Sequence, residues 1–270
     1  MDSDYQKSIE AAAQWGGEAF ISIQDAARHP VDVVVVATPD DTHEAVLNQI
    51  YGWGRVIFAE KPFTRDFETA RILVQKFNMA GQAVAVNYTR RFSPTFQGIQ
   101  GLRLDRTFGD FLGGSGFYGN GLYHSGAHMI DLLRMLLGEV SVQGAGVKFF
   151  DAKQDDPSVF GVLLVAGSPF YLGVIPRPCV NAFELTLYFT NAVIRITDIG
   201  RLVELYQPIP RPDLPTEMVY PTKGLQSFDM REPMMVAVQN IKDYLLHGTR
   251  LLSTGENALE VLKICQAFAS

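Results

Sequence analysis

The sequence predicts an α/β chain in two parts. An incomplete parallel sheet of nucleotide-binding type comes first, and an α+β domain with a large, mainly antiparallel sheet comes second. Three observations predict this. Near-continuous apolar runs at 32–37, 55–60 and 83–88 alternate with helical patterns as far as residue 90. Beyond residue 90 the alternation stops, and short extended runs succeed one another across Gly/Pro or polar turns. A composition of 47% hydrophobic and 19% charged residues over 270 positions is that of a globular chain long enough to build two cores.

Residues 5–15 read as a helix ended by Gly16-Gly17, and 22–29 as a short helix with Ser22 as its cap. The four valines between Asp32 and Ala37 form the first clear strand. Thr42 is placed to cap a helix over 43–51, which ends near Gly52 and Gly54. "RVIFAE" (55–60) is a second strand, "DFETARILVQKFNMAG" (66–81) a helix and "AVAVNY" (83–88) a third strand. Strands apolar on both faces and separated by helices imply parallel pairing with crossover connections. Past the boundary, which divides the chain into 1–90 and 91–270, helices are expected over 94–103 and 122–137. Extended runs come next at 140–149, 158–165, 169–176, 182–189, 192–198 and 201–207, the pattern of an antiparallel sheet. "YQPIPRPDLP" (206–215), with four prolines, reads as a loop, and helices over 231–247 and 254–269 close the chain.

A net charge of −6 sets the chain apart from general nucleic-acid and membrane-surface binders, which need a basic face. No apolar run approaches the ~18 residues of a membrane span. The opening "MDSDYQKSIE" lacks the basic-then-apolar pattern of a secretion signal. Cys179 and Cys265 lie far apart in apolar surroundings, which points to buried, inert thiols and a reducing cytoplasm.

Three stretches carry chemistry. "ATPDDTH" (37–43) and "AEKPF" (59–63) lie just past the first two strands, where open parallel sheets bind their ligands. Glu60-Lys61 at such a strand end reads either as a surface ion pair or as functional charge. In "GLYHSGAHMIDLLRMLLGE" (121–139), His124, His128 and Asp131 are spaced i, i+4, i+7. On an α-helix they project within about 60° of one another. That stripe admits a metal site, acid–base chemistry by a histidine, or plain capping and packing. In "NYTRRFSP" (87–94), Arg90 and Arg91 come after the third strand, placed either to bind an anionic group or to clamp the two domains together.

"VVVVATPDDTH", "AEKPF", "NYTRRFSP" and "HSGAHMIDLL", in this order and at these separations, resemble the Gfo/Idh/MocA oxidoreductases. The likeness extends into "FELTLYFTNAVIRITDIGRLVELY" and so covers essentially the whole chain. It implies a truncated Rossmann-like parallel sheet binding NAD or NADP, then an α+β domain whose open sheet builds a homo-oligomer, a dimer or tetramer. It implies a sugar, polyol or sugar-nucleotide alcohol as substrate, with no nucleic acid, membrane or metal involved. By this resemblance Lys61 touches the substrate hydroxyl, and His128 exchanges a proton with the substrate oxygen. Asp131 is an acidic position one turn on. Glu60 and the turn of Ala37, Thr38, Pro39 and His43 lie along the nicotinamide ribose. Arg91, Tyr123 and His124 fall to the substrate side. Many members carry an aspartate four residues before the catalytic histidine; here that position is His124, counted with the catalytic residues, and the departure points to a different substrate subgroup. Members begin with a strand, a G-x-G-x-x-G turn, a helix and a second strand ending in an acid. "MDSDYQKSIEAA" resembles the segment just after that second strand, with Asp2 or Asp4 near the acid. The expectation for these 270 residues is therefore weak or no dinucleotide binding, with a non-catalytic binding or scaffold protein as the alternative.

Overall fold

The computed structural model describes residues 1–176, 182–211, 213–219, 225–227 and 232–270. Cys179 lies outside them. The chain forms two compact units: one comprises Met1–Asn87 with Ile241–Leu259, the other Tyr88–Asn240 with Glu260–Ser270. The linear division at residue 90 does not include this return of Ile241–Leu259 to the first unit.

In the first unit, β1 (Val33–Val36), β2 (Val56–Ala59) and β3 (Ala83–Val86) pair in parallel in the order β1-β2-β3. Before the sheet come α1 (Tyr5–Trp15), capped by Asp4, and α2 (Ile23–Ala26), capped by the Ser22 hydroxyl. Between the strands run α3 (His43–Gln49) and α4 (Phe67–Met79). Helix α4 buries Ala70, Leu73, Val74 and Phe77, and its first turn is closed by the Asp66 carboxylate, which accepts from Thr69 N at 2.8 Å. β2 is buried along its whole length. The central strand of a sheet covered on both faces requires such a run of Val, Ile, Phe and Ala. The far side of β3 is closed by an antiparallel bridge from Ala85 to Thr254 and by the Ser253 hydroxyl, which donates to Val86 O at 2.6 Å. Thr42 is not the cap expected of it. It lies in a short 3₁₀ turn, Asp40–Thr42, with helical backbone angles, and its hydroxyl donates to Pro39 O at 2.7 Å.

The second unit is built on an eight-stranded sheet in the order β13-β10-β9-β8-β4-β7-β6-β5. Its strands are β4 (Phe111–Tyr118), β5 (Val140–Lys153), β6 (Asp156–Val165), β7 (Ser168–Val174), β8 (Phe183–Phe189), β9 (Val193–Thr197), β10 (Leu202–Tyr206) and β13 (Leu225–Ser227). Only β4–β7 is parallel; the other pairs are antiparallel. Strands β11 (Ile209–Arg211) and β12 (Leu214–Val219) form a two-stranded ribbon across the proline-rich stretch expected to be a loop. Helices α5 (Pro94–Leu104) and α6 (Ala127–Leu137) pack together, and α7 (Glu232–His247) and α8 (Gly255–Ala269) complete the chain.

The central strand β4, "FLGGSGFY", was not expected from sequence, because its glycines interrupt any strand pattern. A Cβ at Gly114 would meet Thr186 O at 2.6 Å, and one at Gly116 would meet Met129 Sδ of α6 at 2.8 Å. These glycines let a helix and two neighbouring strands approach closely. Gly114, Gly116 and Gly119 also spell G-x-G-x-x-G. Gly114 and Gly116 are paired inside the sheet, so the spelling does not form a strand-to-helix phosphate turn.

Candidate functional site

In the first unit the site residues gather where β1 and β2 end. Ala37, Thr38 and Pro39 are exposed, and Glu60 and Lys61 are half-buried. His43, at the start of α3, is only 1% exposed. Its Nδ1 lies 2.8 Å from Pro62 O and its Nε2 2.9 Å from Thr38 O, so the ring ties the two strand-end turns to each other. A neutral imidazole donates to one of these carbonyls and an imidazolium to both. His43, expected along the nicotinamide ribose, thus has both polar atoms of its ring engaged with backbone. The Thr38 hydroxyl lies 2.9 Å from Thr42 Oγ1, whose own proton goes to Pro39 O, and extends the same network.

Asn87, directly after β3, is a residue that sequence reasoning missed in favour of the two arginines beyond it. Its Nδ2 donates to Glu60 Oε1 at 2.7 Å, and its backbone N–H donates to Ala59 O. Asn87 is buried, and its Oδ1 has no hydrogen-bond partner. A buried acceptor left open beside an oriented carboxylate is unusual inside a protein. The only sequence signal for Asn87 was its place one residue past a parallel strand.

In the second unit, Arg91 and Asp131 face each other. Arg91 Nε lies 2.8 Å from Asp131 Oδ1 and 3.0 Å from Oδ2, and Asp131 is 1% exposed. Burial raises the Asp131 carboxyl above the ordinary carboxylate range, and the Arg91 guanidinium pulls it back. Arg91, expected on the substrate side, and Asp131, expected among the catalytic residues, thus form a buried ion pair that joins the turn after β3 to α6. Arg90 is engaged as well. Its Nη2 donates to Ile199 O at 2.8 Å, and its guanidinium stacks 3.6 Å from the Phe183 ring centre. Burial lowers its pKa to about 10.

His128, half-buried on α6, meets the ring of Tyr88 edge-on at 5.9 Å and 84°. Burial, and then the Asp131 charge, push the Tyr88 phenol well above its ordinary value, so it stays neutral. His124 and Tyr123 do not share an α-helical stripe with His128 and Asp131. They lie in a π-turn, Leu122–Gly126, closed by Gly126 N donating to Gly121 O across five residues. This wider turn breaks the i, i+4, i+7 spacing read from the sequence. His124 is exposed while Asp131 is interior. The backbone N–H groups of Tyr123 and His124 donate to Asp156 Oδ1 and Oδ2 at 2.8 and 2.9 Å. Asp156 was another residue missed from the sequence.

Among the described residues, no group of three or more His, Cys, Asp or Glu is arranged to hold a metal ion. Among the same residues, no helix is long and apolar enough to cross a membrane. Cys265 is fully buried, and burial pushes its thiol pKa up.

Residues 1–88 match the Gfo/Idh/MocA family, described as an oxidoreductase family with an NAD-binding Rossmann fold. Inositol 2-dehydrogenase of Leifsonia xyli subsp. xyli is 30% identical over 114 residues, which is 42% of this chain and 34% of that protein. The chain thus spans about a third of the length of this curated relative. Among solved structures, levoglucosan dehydrogenase in complex with NADH and levoglucosan superposes with a TM-score of 0.82 at 15% identity, covering 99% of this chain and 85% of that one. The super-repressor mutant of Gal80p from Saccharomyces cerevisiae gives 0.78 at 14% identity, with coverages of 99% and 85%. At these identities the two structures establish the fold and nothing finer.

Proposed function

From the premise that residues 1–88 belong to the Gfo/Idh/MocA oxidoreductases, we propose that the chain serves NAD(P)-dependent oxidation of a sugar or polyol secondary alcohol, or reduction of the matching ketone. The observation that carries the reading is the strand-end cluster of the first unit. There the Glu60 carboxylate is oriented by Asn87, whose other amide atom is buried and open. That pair fits a ribose: Glu60 accepts from a hydroxyl, and Asn87 Oδ1 gains the donor it lacks. The exposed residues Ala37, Thr38 and Pro39 present a surface for the same ligand.

The nicotinamide, when bound, supplies or accepts the hydride. The chain's own residues hold and move the proton. His128, an imidazole suited to proton exchange near neutrality, exchanges a proton with the alcohol oxygen. Lys61, half-buried at the end of β2 in the first unit, is the cation that the family likeness assigns to stabilising developing alkoxide charge. The name of the relative matched in sequence, an inositol 2-dehydrogenase, supports a polyhydroxylated substrate class.

The test is turnover of a polyol and sugar panel with NAD+ and NADP+, monitored by nicotinamide absorbance. Activity that collapses in His128→Asn while the circular dichroism spectrum persists supports the reading. No reduction of either cofactor by any member of the panel overturns it.

A second reading rests on a different surface. The outer face of the eight-stranded sheet exposes Phe117, Phe160, Tyr171 and Tyr188, with Tyr171 60% accessible. Aromatic residues grouped on an open sheet face suit a homo-oligomer, with or without catalysis. Light scattering reporting a dimer or tetramer that Tyr171→Glu converts to monomer supports this; a monomer at all concentrations refutes it.

A further inference from the structure

The helix that carries His128 starts without a cap of its own. The first N–H groups of a helix have no internal acceptor and are usually served by a Ser, Thr, Asp or Asn at the cap position. Here that position precedes the π-turn and is Gly121, which has no side chain and sits at φ 89°. The acceptors come instead from the start of β6, more than thirty residues downstream. Asp156 takes the N–H of Tyr123 on one carboxylate oxygen and that of His124 on the other, at 2.8 and 2.9 Å. Two residues along the same strand, the buried Ser158 hydroxyl accepts from Gly121 N at 2.9 Å. The glycine is required by this arrangement, because a Cβ at Gly121 would run into the Asp156 carboxylate. A negative charge at this end of the helix is also favoured by the helix dipole.

The π-turn matters for chemistry because it sets phase. Relaxing an i→i+5 turn to the α-helical i→i+4 removes one residue from the turn. That rotates everything before it by about 100° relative to everything after it. Tyr123 and His124 lie before the closure at Gly126, and His128 lies just after it. The carboxylate that holds the first two amides therefore fixes how these three side chains are disposed toward one another. We infer that Asp156 is a positioning residue: by capping the π-turn from β6, it holds Tyr123 and His124 in register with His128 for the proton exchange. The inference rests on the oxidoreductase reading above for the role of His128, and on the hydrogen bonds alone for the cap.

The experiment compares Asp156→Asn and Gly121→Ala with the unsubstituted chain. Asparagine keeps one acceptor but turns an NH₂ group toward the second amide. Alanine at 121 keeps the charge and displaces it. In Asp156→Asn, the amide proton resonances of Tyr123 and His124 are expected to move upfield and exchange faster. In both variants kcat is expected to fall roughly tenfold to a hundredfold, the scale of a small misplacement of reacting groups. KM for the nicotinamide is expected to stay put, since the residues assigned to it lie in the other unit. Unmoved amide resonances overturn the inference, as does a shifted pair of amides with unchanged kcat. A loss of turnover that tracks the loss of folded protein in urea also overturns it, leaving a purely structural cap. Absence of turnover in the unsubstituted chain is the failure of the oxidoreductase reading instead, and the amide shifts then still decide whether the cap exists.

Discussion

Replacing Asp131 by leucine isolates a buried ion pair of the second unit. The carboxylate is 1% exposed and meets Arg91 Nε through both oxygens, at 2.8 and 3.0 Å. Its removal leaves a buried guanidinium without its counter-charge, which costs about 3–5 kcal/mol. Against a typical stability of about 5–15 kcal/mol, that is about a fifth of the whole or more. Arg91→Met strands the carboxylate instead, and a carboxylate can escape by taking up a proton. In that variant Asp131 loses the cation that lowers its pKa and keeps the burial that raises it. The folded protein then holds the proton at pH values where the unfolded chain, titrating near about 3.9, has released it. Its stability is complete below that unfolded value and declines as pH rises through the folded one. The double variant removes both charges and is expected within about 1–2 kcal/mol of the parent, since apolar replacements of buried pairs are often neutral. Urea unfolding monitored by far-ultraviolet circular dichroism, at about pH 5 and pH 8, gives the midpoints. Single variants that cost less than about 1 kcal/mol, or a double variant that is simply additive, would refute the reasoning.

Three further outcomes are expected. Tyr118→Phe removes a fully buried hydroxyl that donates to Val159 O at 2.8 Å and accepts from Val159 N at 2.7 Å. It should lower stability by about 1–3 kcal/mol in the same urea assay, with no change expected in nicotinamide KM. Gly114→Ala places a methyl group against Thr186 O and the Phe170 ring, and should cost about 1–3 kcal/mol by overpacking; a neutral result would show that β4 can shift. Asp66→Ala should cost about 1 kcal/mol through loss of the α4 cap. The Thr69 backbone N–H holds the Asp66 carboxyl below its ordinary value. Its contribution is therefore present above the unfolded pKa and is lost as pH falls through the folded one, so parent and variant should converge in acid.

The alternating half was legible because a buried parallel strand and an amphipathic helix each leave a periodic trace. The valine run of β1 and the spacing of Ala70, Leu73, Val74 and Phe77 in α4 are such traces. β4 left none, since its glycines answer to neighbours on other elements, Met129, Phe170 and Thr186. The π-turn was illegible for a related reason. Its wider hydrogen bond is held by Asp156 and Ser158, and nothing within residues 121–128 announces them. Histidines and carboxylates stand out in the sequence as chemically loaded residues. What spacing on a helical wheel could not reveal was that Asp131 is matched to Arg91, forty residues earlier, and that both ring nitrogens of His43 are turned to backbone carbonyls.

The parallel contact between β4 and β7 has a consequence for biosynthesis. Residues 111–118 leave the ribosome well ahead of their register partners, with Gly114 waiting first for Phe170 and then for Leu187. The middle of the sheet is thus made first and waits for both of its neighbours, an ordering that slows folding and prolongs exposure of unpaired strands. A strand poor in β-branched residues and rich in glycine has little tendency to zip onto another nascent chain during that interval. The same glycines that admit the helix and two neighbours at the end would thus keep the waiting segment unadhesive at the beginning.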